Sequence, residues 1–191
     1  MISESSYWKD DLLKQAKFLR KKIAQKRWPE STLVRIEQSI MIGFYTIRKL
    51  IEAKKISDSN IKRKFQIKFY SWSGKLATWI NLYRVEILYD FSKSAPVEKD
   101  MIFICNQFIH SYIFMTSFNR AGKLTGILFN SDKERNKALY YVKIKQIINV
   151  FEVIGNDYPI SGMYYYDPKK QDYIVHNYGV DDYFAKTVKP R

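Results

Sequence analysis

The chain has 191 residues, 46% of them apolar and 16% aromatic, which excludes a disordered chain, since disorder goes with few aromatics. Seven Gly and five Pro exclude collagen-like and low-complexity classes, and a single Cys excludes a disulfide framework and multi-cysteine zinc sites. Lys and Arg number 33 against 19 Asp and Glu, a net charge of +14 that attracts polyanions over a Debye length.

Two readings of that charge compete. Basic residues draw nucleic acid, RNA or DNA, through its phosphates. Yet 24 of the 33 are Lys and only 9 are Arg, in a chain also heavy in Ile, Tyr and Asn. That composition is what an AT-rich genome imposes, and Arg is the better phosphate reader. The charge is uneven: residues 1–70 hold 17 Lys/Arg and 7 Asp/Glu, a net of +10, against 16 and 12 in the rest, a net of +4. The first residues, Met1 to Ser6, lack a basic and then apolar leader. The apolar stretch 101–115 is broken by Asn106, Gln107, His110 and Ser111 and is too short to span a bilayer. We therefore expect an intracellular, cytoplasmic protein of bacterial or phage type with no membrane partner.

In chain order, residues 5–27 predict a helix with Trp8, Leu12, Ala16, Leu19 and Ile23 at helical spacing, stopped by Pro29. Residues 31–54 predict a second, long-faced helix, and the short link between the two predicts an antiparallel hairpin. From Lys64 the period becomes two: Phe65, Ile67 and Phe69 alternate with Lys64, Gln66, Lys68 and Tyr70, as in a half-buried strand. Residues 76–91 lean to helix, and Pro96 opens a further helix to about Ser111. Strands at 112–118 and 124–129 flank a hairpin loop at 119–123. A strand over 138–144, a short helix over 144–154, and a last hairpin joining 163–166 to 173–178 complete the chain. Helices first and antiparallel strands later predict an α+β fold: an N-terminal helical hairpin, a central helix, and a small antiparallel sheet in the C-terminal half. Residues 1–60 form the basic hairpin and 61–180 the mixed α/β region, together a single compact domain, with 181–191 a loose tail.

No metal is expected, since His110 and His176 stand far apart and no cysteine pair exists. Neither Ser73-Gly74-Lys75 nor Gly122-Lys123 supplies the glycines and hydroxyl of a phosphate loop. No cofactor is expected. Within 100–111, the residues Asp100, Phe103, Asn106, Gln107 and His110 share a helix face. Such a stripe in an apolar helix either satisfies buried partners or makes His110 a general acid or base with Asn106 beside it.

Asn106-x-x-x-His110 on a helix after a helical hairpin resembles part of the HEPN ribonuclease motif, an Arg and a polar residue followed by three variable residues and a His. In that family the Arg and His act together on the RNA phosphodiester, usually across a dimer. The resemblance implies a metal-independent ribonuclease-like activity at His110, and a toxin or defence effector fits that case by analogy of size and charge. Cys105 stands where the motif has its Arg, and the strand-rich second half is not part of that fold.

Asp132 and Arg135 form either a ligand-facing pair on a turn or a solvated cap. The alternation of cations and rings around Lys64–Tyr70, and the tyrosines of the last hairpin, fit single-strand binding or simple cross-strand packing. His176 reads as incidental. The leading expectation is a nucleic-acid-binding protein whose phosphate contacts are Lys21, Lys22, Lys26, Arg27, Arg63, Lys64 and Lys68. A second is an RNA- or nucleotide-processing enzyme using His110 and Asn106. A third is a protein-interaction subunit that binds another protein or a copy of itself.

Overall fold

A computed structural model of the chain describes residues 2–180 and Asp182. The tail from 181, expected to be loose, lies outside the described residues apart from Asp182. Two helices open the chain, α1 (Ser6–Lys22) and α2 (Glu30–Glu52), followed by the single turn α3 (Asp58–Ile61). Five strands, β1 (Lys64–Trp72), β2 (Tyr89–Asp100), β3 (Ser111–Phe118), β4 (Leu124–Ser131) and β5 (Ala138–Lys143), form an antiparallel sheet in the order β2-β1-β5-β4-β3. Between them lie the one-turn α4 (Val85–Leu88) and α5 (Met101–Ile109); after them come α6 (Ile144–Gly155) and a separate hairpin, β6 (Ser161–Asp167) with β7 (Asp172–Tyr178). The fold is α+β, with the N-terminal helices in place.

Strand alternation gives the sheet two different faces. Phe65 and Ile67 of β1, Ile127 and Phe129 of β4, and Tyr140 and Val142 of β5 point to the helices and join one core with α1, α2, α5 and α6. That core is threaded by rings: Phe44 of α2 stacks on Phe108 of α5 at 4.6 Å, and Phe108 on Phe129 of β4 at 4.4 Å. Each such pair adds about 0.5–1.5 kcal/mol beyond its buried area. Leu128, Leu139, Ile113, Tyr70 and Trp72 point the other way, into a smaller core covered by residues 73–88.

Three expected helices change. The segment 96–111 is strand up to Asp100 and helix only from Met101. Its N-cap is Asp100, whose Oδ1 accepts from the Phe103 N–H at 2.7 Å, and Pro96 sits opposite Lys68 on an edge strand, where a missing N–H is tolerated. Residues 76–91 are turns, one turn of helix and the start of β2, because the Asn81 side chain accepts from the Thr78 N–H and donates to the Leu76 carbonyl. The first helix ends at Lys22, where Gln25 accepts from Lys22 Nζ and donates to the Arg27 carbonyl. The other expected strands and helices are present within a few residues.

Candidate nucleic-acid interface

The polar stripe of α5 is largely occupied by the protein itself. Gln107, buried, accepts from the Ser131 N–H of β4 at 2.8 Å. Asn106 Oδ1 accepts from Arg48 Nη1 of α2 at 3.2 Å, and Arg48 also pairs with Glu52 at 2.8 Å. Cys105 is fully buried, and burial pushes its thiol up to about 12. His110 closes the helix: its N–H donates to the Asn106 carbonyl, and its ring is exposed with no described hydrogen-bond partner.

Asp132 and Arg135 do come together, at 3.0 Å, and beside the helix end, since the Asp132 N–H donates to the His110 carbonyl at 3.2 Å. The Arg135 guanidinium lies 4.5 Å over the Tyr112 ring, which also meets Trp79. Its carbonyl accepts from Tyr89 O–H at 2.6 Å, and burial pushes that phenol up to about 12. This turn is thereby pinned to the sheet. His176 has a specific place that sequence reading missed: Nδ1 lies 2.7 Å from Asp58 Oδ2, its ring stacks on Tyr165, and Asp58 Oδ1 accepts the Asn177 N–H. Together these fix the β6–β7 hairpin to α3.

The basic residues behave differently. Residues 23–29 fold against the β3–β4 loop, residues 119–123. Trp28 Nε1 donates to the Gly122 carbonyl at 2.7 Å, and its ring packs on Phe118 at 4.9 Å. Gly122 has φ +71°, which favours glycine, and a Cβ there would come within 3.6 Å of the Lys26 carbonyl. Asn119 Oδ1 holds the loop by accepting from the Ala121 and Lys123 N–H groups. This contact sets the segment that carries Lys26 and Arg27 against the loop that carries Arg120 and Lys123, with Lys21 and Lys22 on the last turn of α1. Lys22 donates to Gln25. None of these six cations forms an ion pair with a described carboxylate, Glu30 included. Arg20, one residue earlier, is committed to Glu152 by three bonds, of 2.5, 2.6 and 3.1 Å.

Lys64 and Lys68 are exposed on the second face of the sheet, opposite Asp100 and Pro96 respectively. Lys143 ends β5 opposite Gly126. Arg63 stands elsewhere, donating to Asn60 at 2.7 Å and lining a cleft with Asn156 and Tyr158. Sequence reading missed Arg120, Lys123 and Lys143, which are remote from the N-terminal basic run and join it only through the fold. The sole signal was their place at a hairpin loop and a strand end.

Among the described residues, no group of three or more His, Cys, Asp or Glu is placed to hold a metal ion, and no helix is long and apolar enough to cross a membrane. Comparison of the chain with protein-family models, with curated proteins and with solved structures gives no significant match.

Proposed function

We propose that the chain is a nucleic-acid-binding protein that holds the phosphate backbone at the end formed by residues 21–27 and 120–123. The observation that carries this reading is the set of cations, all exposed but the half-buried Lys22, contributed by two remote segments, braced by Trp28 and left without carboxylate partners among the described residues. Assembling like charges costs free energy that folding alone does not return, whereas a polyanion returns it through counterion release. Contacts to phosphate position a ligand without reading its sequence, so binding is expected to be sequence-tolerant. A nucleic-acid partner makes the cytoplasm its place of work.

The test is fluorescence anisotropy of a labelled RNA of about 20 nucleotides and its DNA equivalent across a salt series. Engagement of four to six phosphates predicts a log–log slope of about −3 to −5. The same samples run on a denaturing gel should show intact probe. Absence of binding at low salt would overturn the reading, and a cut probe would shift it to the exposed His110.

A further inference from the structure

The second face of the sheet is only half covered. Residues 73–88 lie over Tyr70, Trp72, Leu139, Ile113 and Leu128, and the strands run on beyond that cover. In the uncovered half, the ring of Tyr141 is placed unusually. Tyr141 of β5 neighbours Gly126 of β4 diagonally, since Tyr141 opposes Leu128 and Gly126 opposes Lys143. A Cβ built on Gly126 would stand 2.6 Å from Cε2 and Cζ of Tyr141. The ring therefore occupies the space that a side chain at 126 would fill, and it stays partly exposed. A side chain at 126 would meet both the Val142 carbonyl of the neighbouring strand and this ring.

Two cations flank it. Lys68 is directly opposite Tyr141 on β1, and Lys143 lies two residues along β5 on the same face. Neither pairs with a described carboxylate. Toward the outer edge the carboxylates are engaged: Glu98 accepts from Gln66 at 3.1 Å and Asp100 caps α5. In the other direction the face runs from Lys143 to Gly126 and, three residues back along the chain, to Lys123 of the basic end. A half-exposed ring beside two lysines without carboxylate partners, on strands that lead to the proposed phosphate grip, is the kind of arrangement that holds unpaired bases: stacking for the base, ammonium groups for the backbone.

We infer that Tyr141 is a stacking platform for an unpaired base, and that the nucleic acid bound is single-stranded. This rests on the proposed phosphate grip and adds the class of strand. A duplex keeps its base faces inside the helix and offers nothing to the ring.

The experiment compares a labelled single strand with a hairpin duplex of the same nucleotide count, using the full chain and its Tyr141→Ala, Tyr141→Leu and Tyr141→Phe variants. Removing the ring should weaken single-strand binding about five- to a hundred-fold, the size of one base–aromatic stack, with duplex binding and the salt slope unchanged. Tyr141→Leu keeps an apolar cover over Gly126 and should lose the same affinity, while Tyr141→Phe keeps the ring and should retain it. Equal affinity for both strand types, untouched by Tyr141→Ala and Tyr141→Leu, would overturn the platform and leave the phosphate grip standing. Failure to bind either probe would overturn the grip, and the platform with it. A dimer in light scattering that Tyr141→Leu turns into a monomer would assign the face to a second copy and overturn the inference.

Discussion

The stripe on α5 and the cluster at the basic end are both polar, and they differ in where their polarity is directed. On α5, Asp100 closes the helix start, Asn106 meets Arg48 and Gln107 holds the backbone of Ser131, so only His110 faces outward without a described partner. At the basic end, the charged groups face solvent while the neutral neighbours Trp28, Asn119 and Gln25 do the bracing. Polar atoms that answer one another hold a fold together. Polar atoms that are held in place and left unanswered are available to a ligand. The distinction is one of partners, and composition alone does not reveal it.

This contrast can be broken by experiment. Gln107→Leu strands the buried Ser131 N–H and should cost about 1–3 kcal/mol of stability, seen as a lower urea midpoint, with the folded variant still binding nucleic acid. An unchanged midpoint would mean the stripe is not structural. Alkaline pH tests the same buried region. Cys105 keeps its proton in the native state to about 12, whereas in the unfolded chain it ionises near its ordinary value. Stability from this group is thus complete below about pH 9 and declines as pH rises toward 12, at about 1.4 kcal/mol per unit. Urea titrations between about pH 9 and 10.5 should show the natural chain losing roughly 2 kcal/mol more than Cys105→Ala.

The opposite pattern is expected at the basic end. Lys26→Ala with Arg27→Ala should weaken nucleic-acid binding about tenfold and flatten the salt slope by about 1.5. The urea midpoint should move by no more than about 0.5 kcal/mol in equivalent stability. The smallest effect belongs to His110→Ala, within about 0.5 kcal/mol in stability and with no change in salt slope. A loss of probe cleavage on this substitution would instead give His110 a chemical role.

Much of the fold was legible where one period dominates. The stripe Leu12, Ala16, Leu19 gave α1, the alternation Phe65, Ile67, Phe69 gave β1, and Gly122 in its polar loop gave the β3–β4 hairpin. Strand β2 was hidden because most of it is exposed on an edge, so no apolar alternation was required of it, and Pro96 suits an edge strand as well as a helix start. The site was only partly legible. Lys26 and Arg27 stood out as a run, but Arg120 and Lys123 join them only through the Trp28 contact. His176 looked incidental because its carboxylate, Asp58, lies 118 positions away. Tyr141 was one tyrosine among fifteen until the register set it over Gly126.

The Trp28 brace has one more consequence. Two loops that meet only when a ligand arrives lose conformational freedom at that moment, and the ligand's affinity is reduced by that loss. Here the indole bond to Gly122 settles the relative position of the loops during folding, so the cations are preorganised before any phosphate approaches. On the proposed reading, Trp28 would contribute to affinity without touching the ligand and without carrying charge, by setting the entropy of the state that binds.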